Sequence, residues 1–298
     1  MTPKVLVVCG ATASGKTALS VACAKRLDTE IISADSMLVY QGLDIGTAKP
    51  SEEERADVKH HLIDVVSPTE NFSVSDYEKA ALPIVRELLS RGKTPVICGG
   101  TGFYINSILY KSQFGNVGAN AEVREKYETL CRERGKEYLH ALLREKDPES
   151  AEILHENDVK RVIRALEIYD VTGIPKSQQK DTPVSRFEFV AVSVDYPREI
   201  LYERIDKRVD EMFSAGLIEE VRALTKTVPI SAQCMQGIGY KEIAEGLKNG
   251  NTEDEMKELV KKNTRNYAKR QTTFFKRMQN HIRLSPEKAV AEEVISLL

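Results

Sequence analysis

Eight consecutive residues limit this chain more than any others: Gly10-Ala11-Thr12-Ala13-Ser14-Gly15-Lys16-Thr17, a match to Gly-x4-Gly-Lys-Thr. The apolar, β-branched run Val5–Cys9 precedes them, and a helical stretch from about Lys16 to Leu27 follows, so the motif sits between a strand and a helix as its chemistry requires. Glycines let backbone N–H groups turn inward, and the helix N-terminus adds partial positive charge, so such a loop cradles phosphoryl oxygens. Lys16 neutralises a diphosphate, and Thr17 is the candidate ligand, direct or through water, for an accompanying Mg²⁺. The cradle specifies a diphosphate, leaves open whether ATP also binds, and does not say what the diphosphate carries.

The rest of the chain is read around that loop. Glu30–Ala34 and Pro95–Cys98 read as further strands. Between them Ser75 and Glu78 have capping-box spacing and open a helix that stops near Gly92. Strand–helix–strand order implies right-handed crossovers and a parallel sheet covered by helices. After about residue 112 the texture changes. Gln113–Ala121 has no strong period, and Glu122–Tyr169 is helical and charge-rich with no convincing strand. A strand returns at Phe187–Asp195, and three helical segments follow, broken at Gly237-Ile238-Gly239 and at His281–Pro286. The expectation is an α/β fold: a P-loop core of residues 1–112 and 184–298, with an all-α insertion at 113–183.

In an open parallel sheet, ligands bind beyond the carboxyl ends of the strands. Two more features fall there. Asp35, in Ser33-Ala34-Asp35-Ser36, offers a carboxylate able to take a proton or hold metal, or else to cap a turn. Gly99-Gly100-Thr101-Gly102 allows close backbone approach to a ligand, or is an ordinary glycine turn. The pair His60-His61 lacks carboxylates or thiols at ligand spacing and reads as structural. Five cysteines without a Cys-x-x-Cys spacing argue against a disulfide framework or zinc site and fit a reducing cytosol. Val5–Cys9 is too short for a signal peptide or membrane span, so a cytoplasmic, membrane-free protein is expected. Net charge is −2, yet residues 257–283 hold nine Lys and Arg against one acid, +8, leaving −10 elsewhere. That asymmetry points to an anion-rich partner or to a solvated helix face.

At this point the residues resemble a family, the tRNA dimethylallyltransferases (tRNA isopentenyltransferases). The loop at 10–17 resembles their phosphate loop, and Ser33 through Pro50 (SADSMLVYQGLDIGTAKP) resembles their second signature. His60–Asp64 (HHLID), Gly99–Tyr104 (GGTGFY), Asn157–Tyr169, Gln236–Glu242 (QGIGYKE) and Tyr267–Phe275 (YAKRQTTFF) are similar to the later ones. The likeness runs from about residue 4 to 277. Departures are Ala11 where proline is usual, Leu38 and Gln41 where a glutamine and a basic residue are common, and Phe274 where tryptophan is usual.

The resemblance implies a cradle for dimethylallyl diphosphate with Mg²⁺, and an inserted domain that grips the anticodon stem-loop of tRNA. It implies that the adenosine 3′ of the anticodon (position 37) is flipped into the protein. Asp35 then resembles the general base, Thr101 a substrate-positioning group, and Arg208 a diphosphate contact. The tRNA contacts implied are Asp35, Ser36, Met37, Leu38 and Thr101 in the core, with Val159, Lys160, Arg161, Val162, Ile163 and Arg164 in the insertion. The working unit expected is a monomer. Competing readings are a prenyltransferase acting on free adenine nucleotide, a P-loop small-molecule kinase with Asp195 as its metal-side acid, and a non-catalytic RNA-binding P-loop protein.

Overall fold

The computed structural model describes residues 4–111, 120–179 and 184–298. The expected domain limits at 112/113 and 183/184, and most of the aperiodic stretch Gln113–Ala121, touch positions outside those ranges. Two compact units emerge, Met1–Leu109 with Ser185–Leu298, and Tyr110–Val184.

The first unit opens with β1 (Val5–Cys9), α1 (Lys16–Arg26), β2 (Ile31–Ser33), the single turn α2 (Glu52–Arg55), β3 (His60–His61), α3 (Val74–Ser90), β4 (Val96–Gly99) and α4 (Gly102–Leu109). The second unit contains β5 (Tyr110–Lys111), α5 (Ala121–Lys146), α6 (Pro148–Ile153) and α7 (Val159–Thr172), and β5 pairs with β6 (Val184–Ser185). The first unit then resumes with β7 (Phe189–Val194), α8 (Arg198–Ser214), α9 (Leu217–Leu224), α10 (Tyr240–Asn249), α11 (Glu253–Phe275), β8 (His281–Leu284) and α12 (Ala291–Ile295).

The main sheet has order β3-β2-β4-β1-β7-β8, with every pair parallel. β1 is central and wholly buried, which is why its sequence is a continuous apolar run rather than an alternating one. The strands that precede the helical unit lie on one side of β1 and those that follow it on the other, so the crevice at the carboxyl end of β1 is the place where such folds bind ligands. Leu6, Val8, Ile31, Val96 and Val192 pack beneath α1 and α12, while Val209, Leu217, Tyr240, Ile243 and Val260 form a separate cluster among α8 to α11.

The structure corrects several expectations. α3 is capped by Ser73 with Asp76, each bonding the other's backbone N–H, not by Ser75 with Glu78. Both pairs have the same spacing, but Ser73 is the residue with extended backbone, and Glu78 instead pairs with Arg186. The break at His281–Pro286 contains β8, an edge strand with only Leu284 buried, so it carries no period for a sequence reading to detect. His60-His61 forms the opposite edge, β3. The region after β7 holds four helices of eight residues or more, because Gly216 at φ 97° separates α8 from α9.

Within the second unit, Tyr127, Leu139, Leu143, Ala151, Val162, Ile163, Ala165 and Leu166 form the core. Glu167 is fully buried beneath them and accepts from Asn120 N (2.7 Å), Arg124 Nε (2.9 Å) and Arg164 NH1 (2.7 Å).

Candidate active site

The phosphate loop is built as its sequence requires. Gly10 has φ 124°, and a Cβ there would lie 3.1 Å from Ser193 Cβ, so only glycine fits between β1 and β7. Gly15 at φ 83° starts α1 without any side-chain cap, and the first turn carries no acid. The N-terminal amides of α1 therefore remain available to an anion. Lys16 Nζ lies back over the loop, donating to Ala11 O at 2.6 Å. Burial holds its pKa below the usual lysine range and Arg208 pushes the same way, against the pull of Cys98 and Asp35. Ser14 Oγ is buried and, among the described residues, has no partner. Thr17 lies exposed on the first turn of α1.

Arg208 comes from α8. Burial lowers its pKa and neighbouring Arg204 adds to that; among the described residues it has no ion pair. Arg204 itself donates to Ala13 O (2.8 Å) and lies over the Tyr196 ring. Lys16 and Arg208 are thus two desolvated cations beside one loop, an arrangement that an incoming polyanion relieves.

The other two strand ends meet each other. Thr101 N donates to Ala34 O (3.0 Å), Ser36 N donates to Thr101 Oγ1 (3.0 Å), and Met37 N donates to Asp35 Oδ1 (2.9 Å). One carboxylate oxygen of Asp35 is thereby fixed to its own turn. Gly99 permits this contact: a Cβ there would fall 2.1 Å from Ala34 O. A cavity of about 410 Å³ opens between the loop and these turns, lined by Thr12, Asp35, Ser36, Met37, Arg208 and Tyr267 among others. A second of about 520 Å³ lies on the other side of Arg208, against Gly15, Lys16 and Thr17.

Of the residues singled out from sequence, Gly10 to Thr17, Asp35, Ser36, Thr101 and Arg208 are brought together. Met37 lines the same cavity but packs its end on Gly237. Leu38 contributes its carbonyl to a turn, accepting from Asp64 N at 3.0 Å. The residues on α7 belong to the second unit. There Val162 and Ile163 point into the helical core rather than outward, Arg164 is tied to buried Glu167, and Arg161 pairs with Asp158 at 3.1 Å. Lys160 is exposed. The +8 segment is also partly neutralised: Lys257, Lys261, Arg265 and Arg283 pair with Glu253, Asp210, Asp206 and Asp195. That last pair engages the carboxylate of Asp195. His61 bonds Glu30 at 2.6 Å and His60 bonds Val58 O at 2.8 Å, consistent with structural histidines. Cys9 and Cys23 are buried free thiols.

Two site residues escaped the sequence reading. Tyr267 lines the cavity; burial and the nearby Asp35 push its pKa up to about 12, against the opposing pull of Thr101 and Gln271. Gln271 is buried on α11 and touches both the phosphate loop and the Gly100 backbone. Its signal was present: Ala268, Gln271 and Phe275 share the buried stripe of α11, and a polar residue at such a position needs partners.

Fold and site together define an α/β protein with a phosphate-loop motif whose residues Thr12 and Ala13 line one cavity with the carboxylate of Asp35. The family described as IPP transferase matches residues 38–278, and the chain belongs to that family. It is 46% identical to the tRNA dimethylallyltransferase of Acetivibrio thermocellus over 98% of this chain and 94% of that one. It is 45% identical to the tRNA dimethylallyltransferase of Bacillus licheniformis over 92% and 88%. Among solved structures it resembles the tRNA isopentenylpyrophosphate transferase of Bacillus halodurans (TM-score 0.72, 38% identity, 99% of this chain and 94% of that one). It also resembles a eukaryotic dimethylallyltransferase acting on tRNA (TM-score 0.81, 27% identity, 97% and 74%). Among the described residues no helix is long and apolar enough to cross a membrane.

Proposed function

We propose that the chain transfers a dimethylallyl group from dimethylallyl diphosphate to N6 of the adenosine 3′ of the anticodon (position 37) in tRNA, releasing diphosphate. One observation carries the chemistry: Arg208 and the carboxylate of Asp35 line one cavity with Thr12 and Ala13 of the phosphate loop, and Lys16 lines a second cavity that shares Arg208.

The donor's C1–O bond breaks and its electron pair leaves on the diphosphate. Lys16, Arg208, the loop amides and Ser14 Oγ receive that negative charge, which grows as the bond lengthens and is therefore stabilised most in the transition state. The N6 lone pair forms the new bond to C1. The N6 proton passes to the other carboxylate oxygen of Asp35, worth about 10²–10⁴-fold in rate. Thr101, held to Ser36, keeps the Asp35 turn in register with the acceptor.

The residues present fit Mg²⁺. Among the described residues no cluster of three His, Cys, Asp or Glu could cage a metal, which is the expected setting for an ion held mainly by substrate phosphates and water. Thr17, at the first turn of α1, is the side chain that would hold it, and bound there it would offset charge on the diphosphate. The acceptor reading rests on kinship with tRNA-modifying relatives and on cations without ion pairs among the described residues: Lys160 in the helical unit, and Lys262, Lys269, Arg270, Lys276 and Arg277 in the core unit. The helical unit is proposed to take the anticodon arm.

The test is to pair dimethylallyl diphosphate with an anticodon stem-loop, with AMP and with ATP. Product on the stem-loop alone, requiring Mg²⁺, is the expected result. Equal prenylation of AMP would replace this reading by a free-nucleotide prenyltransferase, and phosphoryl transfer from ATP by a kinase.

A further inference from the structure

Between the donor cradle and the acceptor turn lies one buried amide that the mechanism above does not use. Gln271 Oε1 accepts from Thr12 N at 2.9 Å, and its Nε2 donates to Gly100 O at 3.0 Å. Both ends of one side chain are therefore spent, one on the phosphate loop and one on the turn carrying Thr101. The backbone of Gly100 comes so close that a Cβ would fall 2.1 Å from Nε2. Tyr267, one helical turn earlier, lines the cavity on the same helix. The phosphate loop and the Gly99–Gly102 turn follow different strands, β1 and β4, whose backbone pairing ends at Cys9 opposite Gly99. Beyond that point the Gln271 side chain bonds to both segments.

We propose that Gln271 is a positioning residue: its amide fixes the separation between the leaving-group cradle and the Asp35–Thr101 acceptor turn. Glutamine suits this because one group must accept from an N–H and donate to a carbonyl across a fixed distance. Alanine does neither, and ionised glutamate only accepts, setting a negative oxygen against Gly100 O. Misplacement of reacting groups by about 1 Å costs on the order of 10²-fold in rate.

The inference rests on the proposed transfer for its kinetic consequence, but not for its structural one. Two measurements therefore test it. In the free protein, hydrogen exchange of Gln271→Ala should rise together in the loop 10–14 and the turn 99–102 while β1 and β4 stay protected. Unchanged protection of either segment overturns the proposal whatever the protein catalyses. In the prenylation assay, Gln271→Ala and Gln271→Glu should bind inorganic diphosphate nearly as wild type does, by calorimetry, yet lose about 10–100-fold in kcat. A protonated glutamic acid regains a donor, so the ratio of Gln271→Glu to wild-type kcat should rise as pH falls. Wild-type kcat in Gln271→Ala, or a flat ratio with full activity in Gln271→Glu, overturns it. A wild-type protein without transfer activity, but with the paired loss of protection in the variant, counts against the proposed reaction and leaves the strut standing.

Discussion

Asp35 bonds its own turn through one carboxylate oxygen and lines the cavity as well. Oδ1 takes the Met37 amide, and the cavity beside it is lined by Arg208 and Tyr267. If it is the base, Asp35→Asn keeps the turn and removes the proton acceptor. Turnover should fall by about 10²–10⁴-fold, with calorimetric affinity for inorganic diphosphate unchanged. Retained turnover would assign the proton elsewhere. Lys16 answers a different question. Its ammonium is disfavoured by burial, so a bound diphosphate should restore its affinity for the proton. Lys16→Ala removes a charge-assisted bond worth roughly 1.5–3 kcal/mol, or about 10–150-fold in diphosphate affinity. At alkaline pH, wild-type binding should take up protons and the variant should not, which calorimetry in buffers of different ionisation enthalpy resolves.

Elements show where sequence reading succeeds and where it stops. β1, α1 and the loop between them were legible because one strand is continuously apolar and one motif has a single structural context. α5 to α7 were legible as helix from charge-rich periodicity. β3 and β8 were not, since edge strands of two and four residues bury too little to leave a pattern. The caps of α3 were misplaced because Ser-x-x-acid occurs twice within three residues, and backbone conformation decided between them. Gly46 lies beyond any local reading. Glu220 on α9 accepts from the amides of Asp44, Ile45 and Gly46, and also from the hydroxyl of Tyr240. A Cβ on Gly46 would meet the Tyr240 ring at 2.6 Å. The ring is buried and bonded, so it cannot step aside. Gly46→Ala should destabilise by about 1–3 kcal/mol, seen as a lower Tm, and disturb the wall of the cavity that Gly46 lines. An unchanged Tm would mean that this turn is softer than its bonds imply.

At the scale of the whole molecule, charge does two separable jobs. One is to hold the sheet edge. Burial opposes ionisation of Glu30, but bonds from Arg91, His61 and Lys59 outweigh it and hold the carboxyl at about 2. A depressed pKa gives stability that is present above the unfolded value of about 4.3 and lost as pH falls through the folded one, so Glu30→Gln should flatten the acid side of a Tm–pH profile over that window. The other job is proposed to be RNA binding, and the ion pairs tell the two apart. On α11, Lys261 and Arg265 are committed to Asp210 and Asp206. Lys269 and Arg270, with Lys276 and Arg277 just past the helix, form no ion pair among the described residues. If the free set contacts single-stranded RNA phosphates, each contact contributes about −0.7 to the slope of log affinity against log salt. Lys269→Ala with Arg277→Ala should weaken stem-loop binding and flatten that slope by about 1.4, leaving Tm and diphosphate affinity unchanged. Arg265→Ala should do the reverse, lowering Tm while the slope stays. The same division holds on α7: Lys160→Ala should flatten the slope, whereas Arg164→Ala should cost about 1–3 kcal/mol of stability by stripping a partner from buried Glu167. Filter binding at several salt concentrations beside thermal melts reads both quantities. A slope that none of the free cations alters would remove RNA phosphates from this surface, and with them the case that the +8 segment exists to bind tRNA.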